Sequence, residues 1–328
     1  MDNGKVSIVI PFYNEEEKID ILLSSVLQLQ YSDYEVVLIN DGSTDSSDLI
    51  CEKYVKKSSK FRLINQPNLG KSSARNRGID EATGDWIWFV DADDEVFENA
   101  LNIFFETIDT KTADCIVGEY IQEQVAYKSD CRGIIDAKEF LEKEALHRWD
   151  MYYCVLWNKL FKKSVIYNNH IRFDEFASIW AQDNLFILAY VEHCNTFACV
   201  NGEVYRYIPP VQNMVSQSYE RNKRIYQIQC LVHSKFMKCL KMHGCNELAI
   251  SKTKEHFYIE MRNQYIKLLK ESKESQKLLD EIWDSAELRD CLEKDTYDGI
   301  KCKELKFARF CIRCNLKNTY KYYIKFRY

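Results

Sequence analysis

Apolar and polar residues follow one another along the first hundred residues in a pattern that predicts strands and helices in turn. Short runs of β-branched and aromatic residues predict buried strands, at 6–10, 34–40, 61–65 and 86–90. Apolar residues at helical spacing predict helices between them, at 16–29, 44–54 and 70–82. Because strands that alternate with helices through short loops form βαβ units, this pattern predicts an α/β, Rossmann-like fold whose central sheet is mostly parallel, with flanking helices.

The pattern changes along the rest of the chain. A further strand is predicted at 114–120, and from Tyr219 onward the spacing of apolar residues is helical, with few glycines or prolines. Pro11 is expected to end the first strand, because proline cannot donate a hydrogen bond to a neighbouring strand. The sequence therefore predicts an α/β domain followed by a helical C-terminal extension.

Three carboxylates, Asp91, Asp93 and Asp94, come directly after the fourth predicted strand. Carboxylates this close raise each other's pKa unless a cation lies among them, and their hard oxygens suit Mg²⁺ or Mn²⁺. Open α/β sheets bind ligands beyond the carboxyl ends of their strands, which is where these residues fall. The alternative for this pattern alone is a solvated turn that caps a helix starting near Val96.

Two other predicted strands end at the same edge of the sheet. The first is followed by an aromatic and polar segment, 11–15, in which Tyr13 could stack on a nucleotide base. The second is followed by Asp41, whose carboxylate could accept the imide N–H of uracil, or could form a turn before Gly42. The helix predicted at 70–82 has Lys71 and Arg75 in its first turns, which is typical of an anion site, although the order of residues is not that of a P-loop.

Composition is ordinary for a soluble globular protein of 328 residues, and no run approaches the roughly 20 apolar residues needed to cross a bilayer. The N-terminus has no signal-peptide pattern, so we expect a cytoplasmic protein. Thirteen scattered cysteines, many inside apolar runs, indicate reduced thiols in the core rather than disulfides. The lone C-x-x-C at Cys311 and Cys314 has no second pair, which argues against a zinc site.

The tail from Lys301 to Tyr328 carries nine Lys or Arg and one acid, although the whole chain has a net charge of −5. Basic residues interleaved with aromatic ones favour a peripheral contact with an anionic membrane surface. The alternative is a basic helix that packs on the acidic body of the same chain. Nucleic acid is not expected as a partner, because the body is acidic and has no nucleic-acid motif.

Four segments resemble motifs of the family-2 glycosyltransferases of the GT-A fold: V-S-I-V-I-P-F-Y-N-E at 6–15, V-V-L-I-N-D-G-S-T-D at 36–45, N-L-G-K-S-S-A-R-N-R-G-I at 68–79 and F-V-D-A-D-D at 89–94. The resemblance is strong over about the first 120 residues and looser to residue 218. It implies a site for a UDP-sugar donor, formed by Pro11, Tyr13, Glu15, Asp41, Arg75, Asp91 and Ala92. It also implies that the D-x-D residues Asp91 and Asp93 hold Mn²⁺ or Mg²⁺ at the diphosphate, with Asp93 the more direct ligand.

The resemblance continues into residues that would serve the acceptor. The segment W-N-K-L-F-K-K-S at 157–164 is similar to one common in bacterial members and places Trp157 and Lys159 on the acceptor side. In Q-D-N-L-F at 182–186, Asp183 matches the general base of the family, and Gln182 stands where the family usually has Glu. Tyr205 to Tyr207, followed by Val215 to Ser218, resembles a segment that folds over the diphosphate as a lid.

The resemblance implies an inverting transfer of sugar from a UDP-sugar to a hydroxyl of a lipid-linked glycan. It places this reaction in bacterial surface polysaccharide synthesis, at the inner face of the membrane. It divides the chain into a nucleotide-sugar half at 1–118, an acceptor half at 119–218 and a helical region at 219–328. Two alternatives are a nucleotidyltransferase, which shares the core and the carboxylate–metal chemistry, and an inactive nucleotide-sugar-binding scaffold, for which Gln182 is the only hint.

Overall fold

The predicted strands of the first hundred residues form one parallel set in the computed structural model. These strands are β1 (Val6–Phe12), β2 (Tyr34–Asn40), β3 (Phe61–Asn65) and β4 (Trp86–Phe89), and they lie in the order β3-β2-β1-β4. All residues of β1, β2 and β4 are buried, as expected for a sheet covered on both faces. The prediction of an α/β fold with a mostly parallel sheet is therefore confirmed.

Pro11 does not end β1, which corrects the prediction from sequence. Pro11 is aligned with Ile39 of β2, and the strand continues to Phe12. The Val9 carbonyl accepts from Val90 N at 3.0 Å, so the main-chain polar groups of Val9 point towards the β4 side. The main-chain nitrogen of Pro11, two residues further along the strand, points to the same side. Because β4 has ended at that point, the missing N–H of Pro11 breaks no bond of the sheet.

The helices between these strands are α1 (Ile19–Leu27), α2 (Ser47–Lys57) and α3 (Lys71–Glu81). In α1 the buried residues Ile19, Leu22, Leu23 and Val26 recur at helical spacing and face the sheet. Helix α3 approaches β1 so closely that a Cβ on Gly78 would overlap the side chain of Val9. This approach holds the C-terminal half of α3 against the strand that carries Pro11.

The sheet continues with antiparallel and parallel neighbours. The elements in chain order are β5 (Glu95–Val96), α4 (Ala100–Phe105), β6 (Cys115–Gln122), β7 (Val125–Tyr127), β8 (Gly133–Asp136), α5 (Ala137–Leu146), α6 (Met151–Cys154), β9 (Lys159–Lys162), α7 (Lys163–Asn168), α8 (Gln182–Val191) and β10 (Thr196–Tyr207). Beyond β4 the order is β9-β6-β10-β5, with β9 antiparallel to both of its neighbours and β10 parallel to β6. The full sheet has ten strands among the described residues.

The structure describes residues 3–106, 112–128, 130–147, 151–177, 179–209, 218–269, 277–292, 307–308, 311 and 316–327. The chain divides into two units, one of Met1–Phe140 with Trp149–Gln212 and one of Leu141–Arg148 with Asn213–Tyr328. The first unit contains the whole sheet. The predicted division at residue 118 falls within β6 of that unit and stays a prediction.

The second unit is helical, as the sequence predicts. Besides the part of α5 from Leu141 onward, its helices are α9 (Tyr219–Met242), α10 (Glu247–Leu269), α11 (Leu278–Asp284), α12 (Ala286–Cys291) and α13 (Lys317–Arg327). They enclose one apolar cluster that includes Phe257, Met261, Leu278, Trp283 and Ile324.

Helix α13 is the best described part of the basic tail, and its apolar face packs on the same unit. Tyr320 is buried and its hydroxyl lies 3.1 Å from that of Tyr258, while Lys317 pairs with Asp280 and Asp284. These contacts support the packing alternative for α13. Five of the nine basic residues predicted to contact a membrane lie outside the described residues: Lys301, Lys303, Lys306, Arg309 and Arg313.

Two further expectations concern the whole chain. Among the helices that the structure describes, none combines the length and the apolar character that crossing a bilayer requires. The eleven cysteines in the described part are free thiols, and nine of them are buried.

Candidate functional site

The carboxyl ends of β1, β2 and β4 meet at a cavity of about 210 Å³. Its lining residues come from three strand ends and from the start of α3: Pro11, Phe12, Tyr13, Glu15, Asp41, Lys71, Ala74 and Ala92. Five of the seven residues predicted to bind the donor are among them. Tyr13 is 45% exposed, so its ring is available to a planar ligand.

The loop after β1 has a backbone conformation that sets the direction of its side chains. Asn14, between Tyr13 and Glu15, has φ of 55°, which L-residues other than Asn and Asp seldom adopt. Its Oδ1 accepts from Thr44 N at 2.8 Å, and its own N–H donates to Ser43 Oγ at 3.1 Å. The loops that follow β1 and β2 are therefore bound to each other.

Asp41 connects the end of β2 to the start of α3. Its carboxylate accepts from Gln66 Nε2 at 2.8 Å, from Leu69 N at 2.9 Å and from Gly70 N at 2.8 Å. A carboxylate can accept about four hydrogen bonds, so these contacts leave room for one more donor. Asp41 thus holds the loop in the protein alone, and its contact with uracil stays a prediction.

Arg75 lies at the centre of the site and is only 1% exposed. Its Nη2 donates to Asp91 Oδ1 at 2.8 Å, and its Nη1 donates to Asp183 Oδ1 at 2.5 Å. Lys71 Nζ lies 2.9 Å from the same oxygen of Asp91. Although burial opposes ionisation, Lys71 and Arg75 hold the pKa of Asp91 well below its usual range.

Asp93 is the more open of the two D-x-D carboxylates. Its side chain is 30% exposed and lies 3.6 Å from Lys18 Nζ. Burial, and next the charge of Asp93, raise the pKa of Glu15, so an added cation would relieve a repulsion here. The described residues hold no group of three side chains that could bind a metal, so a cation at Asp93 would take most of its ligands from phosphate and water, as Mg²⁺ usually does.

The start of α8 reaches the same site. Asp183 is 26% exposed and pairs with Arg75, while Gln182 Oε1 lies 2.9 Å from Ser72 Oγ of α3. Ala181, which precedes them, has φ of 54°, a conformation costly for alanine. Both residues predicted from the Q-D-N-L-F segment therefore contact α3: Asp183 contacts Arg75, a predicted donor-binding residue, and Gln182 contacts Ser72.

Trp157 and Lys159 are not brought to the cavity. Lys159 is fully buried, and its Nζ donates to Tyr152 O at 2.8 Å, Val155 O at 2.7 Å and Asn158 Oδ1 at 2.8 Å. Trp157 is 3% exposed and its ring is parallel to that of Tyr205, with centroids 4.5 Å apart. Both side chains are enclosed by the protein. They could affect an acceptor, as predicted, only by positioning the residues that they contact.

Asp94 is the one of the three carboxylates after the fourth strand to which the family resemblance assigns no role. It is 2% exposed, and its carboxylate accepts from Tyr205 Oη at 2.6 Å and from Ile208 N at 2.7 Å. Burial raises the pKa of Asp94 to about 7, against these two hydrogen bonds. Its place directly after D-x-D and before β5 was the only signal in the sequence.

A larger cavity, of about 740 Å³, lies at the opposite end of the sheet, beside Gly84 and Trp86 at the start of β4. Lys162, Lys163 and Tyr167 contribute to its lining, and Lys163 Nζ already donates to Ala82 O at 2.5 Å. None of the predicted donor or base residues lies there. The smaller cavity is therefore the better candidate, since ligands of open α/β sheets bind at the carboxyl ends of strands.

Residues 7–169 match the family described as Glycosyl transferase family 2. The chain is 30% identical over 216 residues to the protein named uncharacterized glycosyltransferase YibD of Escherichia coli K12, covering 62% of this chain and 61% of that protein. It is 28% identical over 224 residues to poly(ribitol-phosphate) beta-N-acetylglucosaminyltransferase TarP of Staphylococcus aureus N315, covering 66% and 65%.

Among solved structures, S. aureus TarS 1–349 in complex with UDP-GlcNAc matches with a TM-score of 0.70 and 21% identity, over 97% of this chain and 89% of that one. At this identity the likeness shows the fold. The chain spans about three fifths of the length of the first curated relatives it matches.

Proposed function

Because the chain belongs to glycosyltransferase family 2 through residues 7–169, we propose that it transfers a sugar from a UDP-sugar to a hydroxyl of a glycan acceptor, with inversion at the sugar carbon. Support for UDP comes from the matched fold of TarS, which has been crystallised with UDP-GlcNAc. Support for a cell-surface polymer comes from TarP and from the teichoic acid poly(glycerol phosphate) polymerase of Staphylococcus epidermidis, which is 28% identical over 219 residues. A lipid-linked acceptor at the inner face of the membrane is part of this proposal.

One observation carries the proposal: a single buried guanidinium, that of Arg75, bonds both Asp91 of the D-x-D motif and Asp183. A donor held at Asp91 and Asp93 and an acceptor hydroxyl at Asp183 would then lie close enough to react. Group transfer between two bound substrates needs this closeness, because orientation supplies much of the rate enhancement.

The proposed donor site uses the groups around the smaller cavity. Tyr13 stacks on uracil, and the remaining acceptor position of Asp41 takes the imide N–H. Asp93, with Asp91 beside it, would hold Mn²⁺ or Mg²⁺, which when bound neutralises the charge that develops on the departing UDP.

The proposed transfer is a single displacement. Asp183 accepts the proton of the acceptor hydroxyl as its oxygen forms a bond to the anomeric carbon. The bond from that carbon to the diphosphate oxygen breaks on the opposite side, and UDP leaves with the electron pair. Arg75 binds Oδ1 of Asp183, which fixes the carboxylate and leaves Oδ2 for the acceptor.

The proposal is tested first by a thermal-shift screen of UDP and UDP-sugars with and without Mn²⁺, since a ligand that binds the native state raises its stability. With the donor identified, transfer to glycan acceptors is followed by release of UDP. Release of pyrophosphate would instead support a nucleotidyltransferase. A protein that binds UDP or a UDP-sugar without any dependence on the metal, and that shows no turnover, would support the scaffold alternative.

A further inference from the structure

The turn that carries the D-x-D motif is held at both ends by hydrogen bonds to the hydroxyl of Tyr205. Tyr205 is fully buried, and its hydroxyl donates to Asp94 Oδ2 at 2.6 Å and accepts from Asp91 N at 3.1 Å. One hydroxyl thus connects the first residue of D-A-D-D by its backbone with the last by its side chain. The residues between them, Ala92 and Asp93, belong to the proposed donor and metal site.

The same turn is fixed at its far end by the sheet. Directly after Asp94, β5 pairs with β10 so that Val96 is aligned with Tyr205 and Glu95 with Arg206. The other oxygen of Asp94 accepts from Ile208 N at 2.7 Å, just after the end of β10. Strand β10 and the residue that follows it therefore position the turn through their backbone at and after Tyr205, and through the Tyr205 hydroxyl.

The tyrosine ring has little freedom of its own. It is parallel to Trp157, with ring centroids 4.5 Å apart, and Trp157 is also parallel to Tyr207 at 5.6 Å. The main-chain oxygen of Trp157 accepts from Trp88 Nε1 of β4 at 2.7 Å. Stacked rings of this kind fix the hydroxyl in position more firmly than a flexible side chain could.

Both oxygens of Asp94 accept hydrogen bonds from the protein, and Asp94 is more deeply buried than Asp91 and Asp93. We propose that Asp94 and Tyr205 are positioning residues that set the D-x-D turn for the diphosphate and its cation, an inference that rests on the proposed function. Trp157 supports them through stacking, which gives a role to a residue that the sequence placed on the acceptor side.

The test uses the full chain with Tyr205→Phe and Asp94→Asn, and UDP as the probe, measured by calorimetry with and without Mn²⁺. Phenylalanine keeps the stacking on Trp157 and removes only the hydroxyl. We expect each variant to weaken Mn²⁺-dependent UDP binding about tenfold, the loss typical of one hydrogen bond to a charged group. The double variant should lose less than the product of the two single losses, because both act through one hydrogen bond.

Tyr34→Phe is the matched control, because Tyr34 is also buried and its hydroxyl donates to Val26 O at 3.1 Å, away from the site. It should lower the melting temperature about as much as Tyr205→Phe and leave UDP affinity unchanged. Hydrogen exchange in peptides covering 89–96 gives a readout without ligand: it should quicken in Tyr205→Phe and stay unchanged in Tyr34→Phe.

The outcomes separate this inference from the proposed function. If wild type binds UDP and both site variants bind it equally well, Asp94 and Tyr205 do not position the turn and the inference is overturned. If wild type binds no UDP at all, with or without Mn²⁺, the proposed function fails and the inference fails with it. The first result is read from the ratio of variant to wild type, and the second from wild type alone.

Discussion

Arg75 Nη1 and Asp183 Oδ1 lie 2.5 Å apart, although the two residues are separated by 108 positions in the sequence. The arginine belongs to the helix that follows β3, and the aspartate to the first turn of α8. Burial of Arg75 makes this pair strong, since little solvent screens it. Asp183, the proposed base, is therefore held next to Arg75 of the proposed donor site before any substrate binds.

The first prediction concerns Asp183. Asp183→Asn should lower the rate of transfer by about 10²- to 10⁴-fold, the usual contribution of a general base, because an amide cannot accept the proton. Affinity for UDP should stay within about twofold of wild type, since the Asn oxygen still accepts from Arg75. UDP release and UDP calorimetry measure the two effects separately.

Asp80→Asn is the matched control for that substitution. Asp80 also pairs with an arginine, Arg172, at 2.9 Å, but its side chain is 57% exposed. Its replacement should leave transfer unchanged. Wild-type transfer by Asp183→Asn would remove Asp183 from the role of base.

The second prediction concerns Arg75. Arg75→Met should lower the free energy of unfolding of the first unit by about 3 kcal/mol, because Asp91 and Asp183 both lose the buried guanidinium that pairs with them. Arg75→Lys should cost less, since it keeps the charge but cannot span both partners as the forked guanidinium does. Urea denaturation measures both.

Arg172→Met serves as the control for Arg75, because it removes an arginine whose ion pair with Asp80 is largely solvated. It should change the free energy of unfolding by less than about 1 kcal/mol. Equal losses in Arg75→Met and Arg172→Met would show that the buried pairs contribute no special stability.

The parallel strands could be predicted from sequence because each is a short apolar run, and β2 and β3 have the predicted bounds. The residues at their ends converge because parallel strands end at one edge. The pair between Arg75 and Asp183 could not be predicted from pattern, since it depends on how α8 packs against α3.

Lys159 shows a second limit of the sequence. A lysine in a motif gives no sign of whether its ammonium faces a ligand or three main-chain and side-chain oxygens of its own segment. The same holds for Asp94: its neighbours Asp91 and Asp93 are of the same type, and only burial and the contact with Tyr205 distinguish it.

The third prediction concerns the close approach of α3 to β1. Gly78→Ala should lower the free energy of unfolding by about 1 to 3 kcal/mol, because the added methyl group would overlap Val9 in a packed core. This cost exceeds the gain of about 1 kcal/mol that alanine brings to a helix. Ser73→Ala on the same helix, where no such overlap arises, should be neutral or stabilising.

A second substitution checks the cause of that loss. Val9→Ala combined with Gly78→Ala should lose less stability than the sum of the two single losses, since the smaller side chain makes room for the methyl group. A loss in the double variant equal to the sum of the single losses would contradict the overlap as the cause.

The fourth prediction concerns Glu35, a buried carboxylate of β2 whose side chain is 9% exposed. Its Oε1 accepts from Ser7 Oγ at 2.7 Å and from Thr83 N at 2.7 Å, and Lys5 Nζ lies 3.2 Å from Oε2. Burial opposes ionisation, but these donors outweigh it and lower the pKa of Glu35 from 4.5 to about 2.

A pKa that is lower in the folded state means that the ionised carboxylate stabilises the fold above pH 4.5, and that this contribution is lost as the pH falls towards 2. Glu35→Gln removes the titration and keeps the shape of the side chain. The difference in the free energy of unfolding between wild type and Glu35→Gln should therefore be largest at neutral pH, at about 2 to 3 kcal/mol, and shrink between pH 4.5 and pH 2. Urea denaturation of both proteins across this range measures it, and carboxylates common to both cancel in the difference. A difference that stays constant with pH would show that the donors around Glu35 do not favour its charged form.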